Sequence, residues 1–286
     1  MGIPKGINIV DTMIAFPAAD FSQYDFIRTQ LKDDSTDLDF PVEYMFKNVP
    51  KELYGNKDPI SVTLHEMDRY DIEIGLIGVE GDISHKALKN HSDRFISQGS
   101  VDPNKGEEGI RNMVRQYEEF GVCSFGAFNA GFNPQVAIDD ELMYPIYSKC
   151  VELDLPIFSC AGIPGPRLPM WPQHVERIDK VMFDFPDLVF VTRHGCEPWV
   201  ELAVKLMLKW PNLYYSTSAF APKYYPKSII DYANTRGADK IIYAGYFPIG
   251  LSLERIMTDM QEVDLKEKVW PNFLSDNARK ILKLKK

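Results

Sequence analysis

The stretch LVFVTRHG at residues 188–195 is followed by EPWVELAVKLMLKW at residues 197–210 and then by Pro211-Asn212. The first stretch is an apolar run with the length of a buried strand, and the second has the apolar spacing of an amphipathic helix. Proline and asparagine end that helix before the next apolar run, LYYSTSAF at residues 213–220, begins. This part of the chain therefore predicts one strand–helix–strand unit.

The same alternation runs through all 286 residues. The predicted strands are Ile7–Phe16, Ile72–Glu80, Phe95–Asp102, Cys123–Ala130, Leu155–Gly162, Leu188–Gly195, Leu213–Phe220 and Ile241–Pro248. The predicted helices are Pro59–Tyr70, His85–Asn90, Gly106–Phe120, Asp139–Leu153, His174–Phe185, Glu197–Trp210, Pro226–Thr235 and Leu251–Gln261. Eight repeated units predict an α/β fold, a closed parallel (β/α)8 TIM barrel in a single domain over residues 1–286.

Two segments lie outside this alternation. Residues 17–58, rich in Asp, Phe, Tyr and Pro, are too long for a simple loop, so we expect an insertion over the barrel mouth or in a subunit contact. The alternative is a surface flap without function. Residues 275–286 predict a final helix with a solvated, lysine-rich end.

Composition limits the partners and the compartment. A formal net charge of -9 disfavours nucleic acid, which needs a basic protein surface. The four cysteines are widely spaced and form no CxxC motif, which favours free thiols in a reducing compartment. The sequence shows neither a secretory leader nor an apolar stretch of roughly 20 residues. We therefore expect a cytoplasmic protein with no membrane partner.

Functional groups of a TIM barrel collect at the carboxyl ends of its strands. In this chain the strand ends carry Asp11 with Met13 and Ala15, Glu80, Asp102, Asn129, Cys160, His194 with Glu197, Ser216 with Ser218, and Tyr246. The imidazole of His194 suits a metal ligand or a general base near neutral pH, or it packs at the core edge. Glu197 acts beside it or begins the following helix as an N-terminal anion.

Three cations are predicted at the same mouth, namely Arg167, Arg193 and Lys223. The prolines and glycines of residues 162–166 stiffen the loop that carries Arg167. Clustered cations in an acidic protein favour a small anionic substrate, and the alternative is three surface ion pairs. His174 is a further mouth candidate, as a ligand or as a helix cap.

Four stretches together resemble a known family: VDTM at residues 10–13, LPIF at 155–158, VTRHGCEPW at 191–199 and AGYFP at 244–248, followed by Asn277-Ala278-Arg279. The chain resembles, over nearly its whole length, the amidohydrolase-related family that includes metal-dependent decarboxylases and hydrolases of aromatic and unsaturated carboxylic acids. The resemblance implies a TIM barrel with a mononuclear metal site.

Residue by residue, the resemblance leaves little of that metal site. The family's paired histidines after the first strand fall at Met13 and Ala15, and its strand-five histidine falls at Cys160. Its strand-six histidine is present as His194, and its catalytic aspartate falls at Tyr246. Methionine is a poor ligand for hard divalent ions and alanine has no ligand atom. The cofactor is therefore either a divalent metal, Zn or Fe, in a non-standard site drawn from His194, His174 and Glu197, or none.

The function we predict is an altered amidohydrolase-like hydrolase of an anionic carboxylic acid ester or thioester. Its catalytic residues would be His194, Glu197, Tyr246 and Asp11, with His194 activating water and Tyr246 or Arg167 stabilising the oxyanion. The alternatives are a decarboxylase or hydratase without redox chemistry, and a non-catalytic barrel that binds an anionic small molecule. We expect the chain to form homo-oligomers.

Overall fold

In a computed structural model that describes residues 2–18 and 20–285, eight parallel strands pair in sequence order and curl into a TIM-barrel-like α/β fold of one domain. The eight predicted strands are confirmed, although each is shorter than predicted. They are β1 Ile9–Asp11, β2 Ile72–Gly78, β3 Phe95–Ser100, β4 Ser124–Ala127, β5 Ile157–Cys160, β6 Phe190–Arg193, β7 Leu213–Ser216 and β8 Ile241–Ile242. Most of the residues lost from the predicted strands lie in the loops at the carboxyl ends, and a few lie before the strands begin.

Helices alternate with the strands, as predicted. They are α1 Asp25–Arg28, α2 Pro59–Arg69, α3 Asp82–Asn90, α4 Gly106–Phe120, α5 Tyr144–Leu153, α6 Arg177–Asp184, α7 Val200–Lys209, α8 Lys227–Ala233, α9 Leu253–Met260 and α10 Asn277–Leu282. Several begin later than predicted because the preceding residues form loops or 3-10 turns. His174 and Glu197 both lie before their helices rather than in the first turn.

Hydrogen bonds between the segments that follow β1 and β8 close the barrel. The N–H of Thr12 donates to the carbonyl of Tyr243 (3.3 Å), and that of Tyr246 donates to the carbonyl of Met13 (2.9 Å). The N–H of Ala15 donates to the carbonyl of Phe247 at 2.8 Å. We call these contacts the β1–β8 seam.

The carboxyl group of Asp11 is buried inside this seam. Its Oδ1 accepts from the N–H of Met13 (2.9 Å) and of Gly245 (2.8 Å), which joins the two sides. Its second oxygen faces Tyr243, because a Cβ on Gly245 would lie 2.5 Å from Asp11 Oδ2 and 2.7 Å from the Tyr243 hydroxyl. Burial raises the pKa of Asp11 to about 7 although both N–H bonds oppose the shift.

The inside of the barrel is apolar in its middle layer. Alternate side chains on the strands form this layer, together with α10, and they are Val10, Leu76, Phe158, Val191, Tyr214, Ile242, Ala278, Ile281 and Leu282. Side chains in a strand alternate between the two faces, so the next inward positions toward the carboxyl ends belong to Thr12, Cys160 and Arg193. The polar groups thus begin one layer above the apolar core.

Residues 20–58, which we call the lid, lie over the carboxyl ends of the strands. The lid contains α1 and four short 3-10 turns. Its side chains are anchored to three barrel loops, with Gln30 donating to the Gly131 carbonyl (2.8 Å), Tyr44 to that of Gly165 (2.5 Å) and Tyr54 to that of Pro248 (3.2 Å).

Two further features concern the cysteines and the helices of the described ranges. All four cysteines are unpaired. Among the helices of residues 2–18 and 20–285, none combines the length and the apolar character that a membrane span requires.

We expect Asp11→Asn to change the pH dependence of stability. The folded-state pKa of Asp11 is higher than its ordinary value of 3.8, so its burial lowers the free energy of unfolding as the pH rises from about 4 to about 7. The free energy of unfolding falls by at most about 4 kcal/mol over this pH range. An Asn oxygen can keep both N–H bonds, so the variant should lose this decline. Chemical unfolding at pH 5 and pH 8 measures the difference, with exposed Asp93→Asn as the control. Equal pH dependence in wild type and Asp11→Asn would contradict the prediction.

Candidate functional site

A cavity of about 1010 Å³ opens at the carboxyl ends of the strands, beneath the lid. Its walls are largely apolar and aromatic, with Phe40, Phe46, Phe128, Ile163, Phe220 and Leu251 among the lining residues. The polar groups that reach it include Glu80, Gln98, Cys160, Arg193, His194, Glu197, Lys223, Tyr246 and Arg255. The cavity therefore suits a small molecule with an apolar body and a few polar groups.

The guanidinium group of Arg193 lies buried at the cavity floor. Its Nη1 donates to Gln98 Oε1 (2.7 Å) and its Nη2 to the Thr12 carbonyl (3.1 Å), while the group lies 4.8 Å from the centre of the Phe158 ring. Its Nε has no partner in the described chain, and no carboxylate there forms an ion pair with it. Neutral oxygen atoms thus fix the group while leaving its charge unpaired.

Burial lowers the pKa of Arg193 from 12.5 to about 10. The group remains a cation at neutral pH, because ten is still well above seven. An arginine that is charged, buried and without a carboxylate partner is costly for the folded protein. Such a group at a cavity floor is a candidate anion-binding site.

His194 follows Arg193 and also lines the cavity. Its Nδ1 lies 3.2 Å from Ser218 Oγ, and its ring meets the ring of Tyr246 edge to face at 5.5 Å. Burial, and then the charge of Arg193, lower the pKa of His194 to about 3. The imidazole is therefore neutral at physiological pH and is a weak base, and offsetting the charge of Arg193 would remove one of the two causes.

Tyr246 and Cys160 complete this part of the wall. Burial raises the pKa of the Tyr246 hydroxyl, which stays protonated and can donate a hydrogen bond. Burial also raises the pKa of Cys160 to about 12, although Arg193 opposes that shift. A thiol with this pKa is a poor nucleophile.

The backbone around these groups adopts the left-handed region at four non-glycine residues. They are His194 (φ 65°), Cys196 (φ 59°), Ala219 (φ 69°) and Tyr246 (φ 70°), all just beyond β6, β7 or β8. Non-glycine residues avoid this region, and strain of this kind clusters at functional sites. The geometry thus marks the same edge of the barrel as the side chains do.

The structure brings together only some of the residues predicted from the sequence. His194, Glu197, Tyr246, Arg193 and Lys223 line one cavity, and so do the motif positions Met13 and Cys160. Asp11, Arg167 and His174, however, are absent from its wall.

Each absence has a local cause. Asp11 lies in the β1–β8 seam, on the opposite face of its strand from Thr12. Arg167 binds the lid, with its Nη1 at Asp33 and 3.0 Å from Asp34 Oδ1. His174 packs on Trp199 at 4.5 Å, with Nδ1 3.7 Å from Glu176.

Gln98 is a site residue that the motifs of the sequence did not reveal. This residue fixes Arg193 and itself donates to Ser124 Oγ (3.0 Å) across β3 and β4. Gly126 leaves room for the pair, since a Cβ there would lie 2.8 Å from Gln98 Oε1. The alternation along β3 places Gln98 on the same face as Ile96, so the strand pattern contained a signal for it.

A TIM-barrel-like α/β fold with polar groups gathered at the carboxyl ends of its strands is the architecture of many enzymes. The chain belongs to the amidohydrolase family, whose sequence model matches residues 81–284. Among curated protein sequences, none matches the chain significantly.

Solved structures show the same fold. An uncharacterized TIM-barrel protein from Bordetella bronchiseptica superposes with a TM-score of 0.76 and 22% identity over 96% of this chain and 98% of that chain. The 5-carboxyvanillate decarboxylase of Novosphingobium aromaticivorans, in complex with manganese and 4-hydroxy-3-methoxy-5-nitrobenzoic acid, gives a TM-score of 0.67 and 17% identity over 98% and 97%. The 4-oxalomesaconate hydratase of Rhodopseudomonas palustris gives 0.64 and 15% over 96% and 95%.

The residues of this chain do not fit a divalent metal at the family's position. In the described ranges no group of three or more His, Cys, Asp or Glu side chains is arranged to hold a metal ion. The combination of His194, His174 and Glu197 is not brought together, because His174 lies against Trp199, outside the cavity wall. The guanidinium of Arg193 instead provides a buried positive charge at the floor.

We expect Arg193→Gln to raise the pKa of His194. The charge of Arg193 is the second cause of the low value, after burial, so the pKa should rise from about 3 but stay below the ordinary 6.5. Two-dimensional NMR of the histidine ring across pH 3 to 7 measures this shift. Lys223→Gln is the matched control, since Lys223 lines the same cavity but does not contribute to the shift. An unchanged His194 pKa in Arg193→Gln would refute the coupling.

Proposed function

We propose that this protein is an enzyme that acts, without redox chemistry, on a small carboxylic acid with an aromatic or unsaturated body. The observation that carries the proposal is the unpaired, buried guanidinium of Arg193 at the floor of an apolar cavity. A carboxylate would supply the missing negative charge, and arginine binds carboxylates through two parallel hydrogen bonds. The aromatic walls formed by the lid and the barrel loops would hold the body of the molecule.

Hydrolysis of an ester or thioester that carries a separate, free carboxylate is the reaction we favour, because that carboxylate can bind Arg193 while the ester carbonyl reacts. Water would attack the carbonyl carbon while His194 takes its proton, and the Tyr246 hydroxyl would donate to the developing oxyanion. The C–O or C–S bond would then break, with the proton passing to the leaving group. A carboxylate on Arg193 would offset the charge that lowers the pKa of His194, so binding would make His194 a stronger base.

The second candidate reaction is decarboxylation or hydration. The fold neighbours favour it, because they include a decarboxylase that was solved with a nitro-substituted benzoic acid and a hydratase. A substrate of either reaction that carries a carboxylate would bind Arg193 in the same way.

The other partners follow from the charge and from the sequence. The net charge of -9 argues against nucleic acid as a ligand. We also propose, from the sequence alone, that the protein forms homo-oligomers and is located in the cytoplasm.

We expect Arg193→Gln to weaken the binding of benzoate by roughly 10- to 100-fold, because hydrogen bonds to a charged group contribute about 1.5–3 kcal/mol. Arg193→Lys should keep part of the affinity, since it keeps the charge but loses the two parallel bonds. Calorimetric titration with benzoate, and with uncharged benzamide, measures the effect. Arg111→Gln is the matched control, because Arg111 is exposed on α4. Equal affinity of the wild type for benzoate and benzamide would refute carboxylate recognition.

We expect His194→Ala to lower turnover by roughly 10²–10⁴-fold with the fold intact, as for a lost general base. If His194 only packs, the change should instead reduce the free energy of unfolding by about 1–3 kcal/mol. Aryl esters and acyl thioesters of carboxylic acids form the first substrate panel, with carbon dioxide release and water addition measured in parallel. A folded His194→Ala protein with full activity would remove His194 from the mechanism.

A further inference from the structure

The guanidinium of Arg193 lies among the positions that the family uses for its metal. Its Nη2 bonds the carbonyl of Thr12, the residue before Met13. Arg193 itself pairs with Cys160 across β5 and β6, and its charge acts on both Cys160 and Tyr246. The chain therefore has a cation near the ends of β1, β5, β6 and β8, where the family's ligands would meet.

The residues around the guanidinium of Arg193 are uncharged, which suits a cationic side chain better than a metal ion. Methionine, alanine, a protonated thiol and a protonated phenol stand where the family has metal-binding or acidic groups. None of them carries the negative charge that would hold both a divalent ion and a guanidinium. A fixed positive charge at the floor also repels any other cation.

Arg193 is held in a way that leaves it able to bind a ligand. Two of its five N–H donors, one on Nη1 and one on Nη2, bond Gln98 and the Thr12 carbonyl. The remaining donors, including the one on Nε, find no partner in the described chain. The Phe158 ring supports one face of the group, and Gly126 leaves the space that Gln98 needs.

We propose that the guanidinium of Arg193 stands in place of the divalent metal, so that the protein binds its ligand on an organic cation of its own and needs no metal ion. The proposal rests on the proposed function in one respect, that the ligand is a carboxylate. Gln98 is then a positioning residue, because it acts by fixing Arg193.

The experiment has a metal arm and a ligand arm. In the metal arm, native protein is dialysed against manganese or zinc, passed through a desalting column and analysed for its elements. We expect far less than one equivalent of either metal per chain. In the ligand arm, benzoate is titrated with EDTA, with manganese, and with neither, and all three affinities should agree within twofold. Arg193→Gln should lose at least tenfold in each condition.

Gln98→Ala separates positioning from mere packing. This variant should weaken benzoate binding by several-fold and raise the salt sensitivity of binding. The reason is that the guanidinium of Arg193 keeps its charge but its orientation is no longer fixed. Gln116→Ala is the matched control, since Gln116 is a buried β3 partner outside the cavity wall. Melting temperatures establish that each variant is folded.

Stoichiometric manganese or zinc in the wild type would overturn the inference, and so would loss of benzoate binding on chelation. Metal-free protein in which Arg193→Gln binds benzoate as the wild type does would overturn it as well. A metal-free wild type that fails to bind benzoate would refute the proposed function and, with it, the role of Arg193 as a carboxylate-binding cation. Stoichiometric metal together with benzoate binding would keep the proposed function and reject the inference alone.

Discussion

The guanidinium of Arg193 is held by the oxygen atoms of an amide and a carbonyl rather than by a carboxylate, and several features of the site depend on this. Neutral partners orient a guanidinium but do not cancel its charge. The positive potential therefore persists at the floor, where it contributes to the low pKa of His194 and opposes the high pKa of Cys160. The position of Gln98 beside Arg193 also accounts for the glycine at position 126, where a Cβ would lie 2.8 Å from Gln98 Oε1. A carboxylate in place of Gln98 would hold Arg193 as firmly but would leave little charge for a ligand.

The sequence predicted the barrel well because its evidence is periodic. Alternating apolar runs and amphipathic segments determine how many strand–helix units the chain has, and parallel pairing then places all carboxyl ends on one edge. This is why Met13, Cys160, His194 and Tyr246 could be expected to meet, although they are spread over most of the chain. Helix starts were predicted less well, because 3-10 turns and loops precede several of them.

The side chains that were misplaced depended on information that a strand count does not contain. Asp11 follows a buried apolar residue, and only the alternation between Val10 and Thr12 shows that its carboxyl points away from the barrel interior. Arg167 forms ion pairs with Asp33 and Asp34, which lie more than 130 residues earlier in the chain, and no local sequence pattern predicts that pairing. Gln98 belongs to no motif, and only its position two residues after the inward-facing Ile96 on β3 indicates that it faces the barrel interior.

The lid gives the cavity a kinetic character as well as a shape. Its contacts with the loops near Gly131, Gly165 and Pro248 are single hydrogen bonds, and the Arg167 ion pairs are partly exposed. Phe40 and Phe46 of the lid also pack against the ring of Tyr246 at the mouth. Any opening of the mouth by residues 20–58 would therefore require the hydrogen bonds, the ion pairs and this aromatic packing to be lost together. Because Phe40 and Phe46 line the cavity as well as packing on Tyr246, we expect two acids of equal charge to differ in residence time through the fit of their apolar bodies against these two rings.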